Sequence, residues 1–128
     1  MRCLLDTHTF LWWDVEPDKL SLRVLSLLED RTNLLFLSMV SVWEMQIKMQ
    51  LGKLHLQRSL AETVRSQGSR NGIVLMPIRL EHITALAQLP LHHKDPFDRL
   101  LVAQAKTEST VLLSKDRAFG DYAVPVVW

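Results

Sequence analysis

Five short, largely apolar runs punctuate this chain, at Arg2–Leu5, Leu34–Leu37, Ile73–Met76, Val111–Leu113 and Val124–Val127. They are continuous rather than alternating, the pattern of strands covered on both faces. Between them lie amphipathic segments. Ser21–Asp30 carries Leu22, Leu25 and Leu28 at helical spacing, and Ser41–Leu51 puts Trp43, Ile47 and Leu51 on one stripe, with Trp43 expected in the core. Ser59–Gln67, Leu80–Leu89 and Pro96–Thr107 complete the set, and Asp6 is placed to cap a helix through Phe10 to Trp13. Strands alternating with helices predict an α/β fold, a parallel sheet with helices on both faces. A length of 128 residues, with no repeat or linker, fits one domain with a single core.

The same pattern excludes several classes. At 48% hydrophobic and 23% charged the chain is neither disordered nor fibrous. No apolar run approaches bilayer length, so no membrane association is expected. Met1–Asp6 does not read as a signal peptide, because its apolar stretch ends at once in a carboxylate. Cys3 is the only cysteine. No internal disulfide exists, a cytoplasmic setting is expected, and Cys3 reads as an inert core residue. Phosphate-loop, dinucleotide-binding and nucleophile-elbow patterns are absent. No cysteine or second histidine stands at zinc-ligand spacing, so a zinc site is not expected.

In parallel sheets, sites form at the carboxyl ends of the strands. Asp6 directly follows the first run, and Asp116 lies three residues past Leu113. Ser38 and Ser41 follow the second run, with Glu44 in the first turn of the next helix. Asp98 opens the Pro96 segment. Each has a second reading. Asp6 fits an N-cap, Ser41 with Glu44 fits a capping box, and Asp116 fits a turn or cap. Asp95 before Pro96 caps its helix well, which leaves Asp98 less explained by capping. The joint placement carries the functional reading. Two carboxylates about 4 Å apart repel by roughly 4 kcal/mol at an effective dielectric near 20. A converging cluster therefore needs protons or a cation, and oxygen-only ligands favour Mg²⁺ or Mn²⁺, ions suited to phosphodiester hydrolysis. Net charge is +1; setting the four acids aside leaves ten against fifteen Lys and Arg, basic enough to hold a polyanion. Lys48, Arg99, Lys115 and Arg117 are candidate phosphate contacts, Arg99 alternatively an ion-pair partner of Asp98. His8 either touches the site or makes a structural hydrogen bond, and His92 and His93, as neighbours on an extended chain, point apart.

The segments Leu4–Trp13 (with Asp6-Thr7-His8), Ser38–Met45 (with Ser41-Val42-Trp43-Glu44), His93–Ala105 (with Asp95-Pro96-Phe97-Asp98-Arg99-Leu100-Leu101) and Leu113–Phe119 (with Ser114-Lys115-Asp116-Arg117) together resemble PIN-domain nucleases, above all toxins of VapC-type toxin–antitoxin systems. The resemblance runs over nearly the whole chain and implies one PIN-like nuclease domain across residues 1–128. It implies a three-layer α/β/α fold with a central, mainly parallel sheet and Mg²⁺- or Mn²⁺-dependent RNA cleavage. The family's four acidic positions fall on Asp6, Glu44, Asp98 and Asp116. Asp95 is an additional acid, and Thr7 and Ser114 fall where the family often has small hydroxyl residues. The resemblance also implies homodimers and a cognate antitoxin that covers or disrupts the site.

Two other classes compete. A receiver-like phospho-acceptor domain is also doubly wound, with Lys115 and Ser114 as its accessory groups, but only one acid follows the first strand. A non-catalytic binding module is the other; clustered negative charge gives an RNA binder nothing.

Overall fold

The computed structural model describes residues 1–92 and 94–128; His93 lies outside the described residues. Five strands form one sheet: β1 (Arg2–Leu5), β2 (Leu34–Ser38), β3 (Ile73–Met76), β4 (Val111–Leu113) and β5 (Val126–Val127). Their order is β3-β2-β1-β4-β5, and every pairing is parallel. The helices are α1 (Thr7–Val15), α2 (Leu22–Glu29), α3 (Met39–Gln50), α4 (Leu60–Asn71), α5 (Leu80–Ala85) and α6 (Pro96–Thr107).

The continuous apolar runs have the expected cause. Along β1, Leu4 packs into one core cluster while Cys3 and Leu5 pack into the other; Leu112 and Leu113 of β4 divide in the same way. One cluster is completed by α6 and side chains of α5, the other by α1, α2 and residues of α3 and α4. The result is three layers. In α6, residues 100 to 105 are all buried, so over this stretch the helix is apolar around its circumference except at Gln104. Gly72 ends α4 in the left-handed region (φ +67), and its N–H reaches the Gly68 carbonyl; that conformation suits a residue without a Cβ.

Several local expectations are corrected. Helix α3 begins at Met39, capped by Ser38, whose hydroxyl accepts from the Val40 amide. Ser41 is therefore inside the helix, its capping box with Glu44 does not form, and Glu44 sits in the second turn. The stripe Trp43–Ile47–Leu51 is not the core face of α3. Val40, Ser41 and Met45 are buried instead, and Trp43 is 56% exposed with its ring edge-on to Phe97. The segment from Leu80 breaks after Ala85 into a single 3-10 turn, Leu86–Gln88. Strand β5 starts at Val126 because the Val124 amide closes onto the Tyr122 carbonyl. Among the described residues no helix is long and apolar enough to cross a membrane.

Candidate active site

Strand order places a topological switch point between β1 and β4, where the chain's progress across the sheet reverses; ligands bind at the carboxyl side of such a point. Asp6 emerges from β1 there and Ser114 from β4. The two ends are stitched together. Asp6 Oδ1 accepts the Thr9 amide at 2.8 Å, which caps α1, and Asp6 Oδ2 accepts the Ser114 hydroxyl. Ser114 Oγ in turn accepts the Asp116 amide at 3.0 Å, and Thr9 Oγ1 donates to the Leu113 carbonyl at 2.8 Å. Asp6 is only 6% exposed, so these donors, rather than water, solvate its carboxylate. The capping and site readings of Asp6 coexist in one side chain.

Glu44 reaches the same place from α3. Buried Thr7 donates to Glu44 Oε1 at 2.6 Å, and Lys48, one turn further on, pairs with Glu44 Oε2 at 3.5 Å. Asp95 caps α6, accepting the Phe97 amide at 2.8 Å and the Asp98 amide at 3.2 Å, with Pro96 at the first helical position. Asp116 caps the 3-10 turn Arg117–Asp121 through the Ala118 amide, 2.9 Å away.

All four acids expected at the site, Asp6, Glu44, Asp98 and Asp116, line one pocket of about 190 Å³, together with Asp95, Thr7, His8 and Lys48. Apolar Leu101 and Phe119 form part of its wall. The donor set is hard oxygen, which fits a divalent cation such as Mg²⁺ or Mn²⁺. Among the described residues no three acidic, His or Cys side chains stand close enough to form a ready ligand cage.

A PIN-domain family model matches residues 3–125. This chain belongs to the PIN-domain family. It is similar to Ribonuclease VapC22 of Mycobacterium tuberculosis, 29% identical over 135 residues that cover 98% of this chain and 97% of that protein. The fold is shared with VapBC2 from Rickettsia felis bound to a DNA fragment from their promoter, at a TM-score of 0.75 and 15% identity over 99% of this chain and 98% of that one. It is shared also with FitAB bound to IR36 DNA, at a TM-score of 0.68 and 19% identity over 98% and 93% of the two chains. Strand order separates this PIN domain from the receiver-like alternative, whose sheet runs 2-1-3-4-5.

The candidate phosphate contacts of this PIN domain divide. Lys48 lines the acid pocket, whereas Arg99 does not. Its guanidinium donates to the carbonyls of Pro90, at 2.9 Å, and Leu86, at 3.4 Å, tying down the loop before α6. Lys115 and Arg117 are exposed on the turn after β4 and do not line the pocket. His8 does line it, its ring 5.5 Å from that of Trp12. Exposed His92 instead sets its ring edge-on to Tyr122.

Sequence reasoning passed over one polar chain beneath the site. Fully buried Gln104 accepts the Ser38 hydroxyl on its Oε1 and donates to the Pro77 carbonyl at 3.3 Å. It thereby links the start of α3, which carries Glu44, to α6, which carries Asp98. His82, also fully buried, accepts the Arg79 amide on Nδ1 at 3.0 Å, so its proton lies on Nε2 and is donated to Glu108, 2.9 Å away. The available signal was Gln104 itself, a lone amide in the otherwise apolar run Leu100–Ala105.

Proposed function

We propose that this PIN domain is a divalent-metal-dependent endoribonuclease, the toxin member of a VapC-type toxin–antitoxin pair, acting on RNA in the cytoplasm. The observation that carries the reading is the gathering of Asp6, Glu44, Asp98 and Asp116 around one pocket at the switch point. Full-length similarity to a VapC ribonuclease supports the same chemistry. Antitoxin pairing is inferred from the likeness to the VapBC and FitAB complexes, and homodimerisation from the family resemblance.

Asp6, Glu44, Asp98 and Asp116 are the residues that would hold Mg²⁺ or Mn²⁺. When bound, such an ion supplies Lewis acidity for phosphodiester hydrolysis. The protein's own groups prepare the site for it. Thr9 and Ser114 fix both oxygens of Asp6, and Thr7 fixes Glu44, so neither carboxylate must reorganise when substrate arrives. Lys48 pairs with Glu44 and lines the pocket, placed to meet a substrate phosphate. Leu101 and Phe119 limit water on the inner wall.

The deciding experiment is an RNA cleavage assay with mapped ends on pure protein. Cleavage should require Mn²⁺ or Mg²⁺, stop with EDTA, and fall at least about a hundredfold in Asp6→Asn, the scale for loss of a group that organises transition-state charge. Undiminished cleavage by folded Asp6→Asn protein would refute the assignment.

A further inference from the structure

The acid pocket is one end of a longer depression. It shares Thr7, His8 and Lys48 with a second pocket of about 470 Å³. That pocket shares Val15, His55 and Leu56 with a third, of about 340 Å³. The shared residues make the three one trough. Its floor follows α1, whose residues Thr7, His8, Leu11, Trp12 and Val15 fall on one helical stripe; eight residues of rise give a length of about 12 Å. The third pocket extends it to α4, at Thr63 and Arg70.

The charge along this trough is opposite to that of the acid pocket. Lys48, Lys53, Arg58 and Arg70 line the second and third pockets, against Asp14 and Glu16. Both acids are already engaged. Arg70 and Gln67 hold Asp14 at 3.3 and 2.8 Å, and Lys19 holds Glu16 at 3.3 Å. Lys53 and Arg58 are exposed and have no ion pair among the described residues. Apolar Leu11, Trp12, Leu54 and Leu56 form part of the remaining lining, beside polar His55 and Thr63, and Lys19 Nζ lies 5.7 Å from the centre of the Trp12 ring.

We propose that this trough is the track along which single-stranded RNA approaches the carboxylates, with Lys53 and Arg58 gripping phosphates remote from the cleaved bond and the apolar wall of Leu11, Leu54 and Leu56 meeting the bases. This rests on the nuclease reading above. Cations beside aromatic and aliphatic surface match a strand whose bases are unstacked, because phosphates and base faces are then both available. A duplex presents chiefly phosphate and sugar and leaves the apolar wall unused. Remote phosphate contacts also offset the repulsion between an acidic pocket and its polyanionic substrate.

The test uses Asp6→Asn protein in Mg²⁺, so that substrate survives, and a fluorescein-labelled oligouridylate followed by anisotropy across a salt series. Lys53→Ala/Arg58→Ala should weaken binding about tenfold and flatten the log K against log salt slope by about 1.4, the value for two lost single-strand phosphate contacts. Both side chains are exposed, and circular dichroism should show the fold unchanged. Lys53→Arg/Arg58→Lys should restore both readings. Arg23→Ala/Lys106→Ala, which removes two exposed cations outside the trough, should change neither. A matched duplex should compete about tenfold more weakly. An unchanged affinity and slope in Lys53→Ala/Arg58→Ala overturns the track, and is the result expected if the trough is reserved for a segment of a partner protein. Equal competition by duplex overturns its single-strand character. Cleavage by the wild-type chain is scored separately. Cleavage with trough-independent binding refutes the track alone, and trough-dependent binding without cleavage refutes the nuclease reading alone.

Discussion

Replacing Ser114 by Ala isolates the hydroxyl that joins the two central strand ends. Ser114 donates to Asp6 Oδ2 and accepts the Asp116 amide at 3.0 Å, and both Ser114 and Asp6 are almost fully shielded from water. The substitution removes one hydrogen bond to a buried carboxylate, about 1.5–3 kcal/mol, and strands one amide, about 1 kcal/mol. The sum is about 2.5–4 kcal/mol, a large part of a total stability of about 5–15 kcal/mol. For a chain of this size that lowers the melting temperature by about 10–16 °C, taking about 4 °C per kcal/mol. Calorimetry in metal-free buffer measures it. Repeating the melt with Mn²⁺ gives a second reading, because a cation at Asp6 would replace the lost donor and narrow the gap between variant and parent. A melting temperature within about 2 °C of the parent in metal-free buffer would refute the reasoning, since a shielded carboxylate cannot lose a donor at so small a cost. A gap that Mn²⁺ leaves unchanged would remove Asp6 from the ion's ligands. In the Asp6→Asn background the Ser114→Ala cost should shrink by more than about 1 kcal/mol, as expected for directly contacting residues.

Two further outcomes follow from single positions. Burial pushes the Cys3 thiol up, only partly offset by the nearby N-terminal charge, so a thiol reagent at neutral pH should label native protein far more slowly than denatured protein; equal rates would contradict the burial. Gly72→Ala has open space for its Cβ but a φ of +67, so it should cost about 1 kcal/mol in denaturant unfolding for purely conformational reasons; an unchanged midpoint would refute that.

What could be read ahead of the structure depended on range. β1 and β4 are legible because burial on both faces leaves an unbroken apolar run, and Asp6 and Asp95 are legible as caps because capping is local. The start of α3 was not. Ser38 and Ser41 both suit a cap, and the choice falls to Ser38, whose hydroxyl meets Gln104 sixty-six positions away. Glu44 was misplaced for the same reason, since its partner Thr7 lies in another helix. The stripe of Trp43 is apolar, yet the two core clusters, built from strand and helix side chains together, take in Val40 and Met45 instead. Arg99 beside Asp98 suggested a phosphate contact, but two loop carbonyls from before α6 compete for its guanidinium. In each case a tertiary partner invisible in local spacing decided the outcome.

The position of β1 in the middle of the sheet has a consequence for how the protein is made. Strand β1 must wait for β4, since Cys3–Leu5 pair with Val111–Leu113 and Asp6 takes its donor from Ser114, 108 positions later. Such a long-range pairing delays completion of the central strand until β4 has been made. An interrupted polypeptide ending before Val111 lacks Asp116 and leaves Asp6 without the Ser114 hydroxyl. The acid pocket is therefore completed only once β4 and the turn after it are in place, and translation products cut short before them carry only part of it.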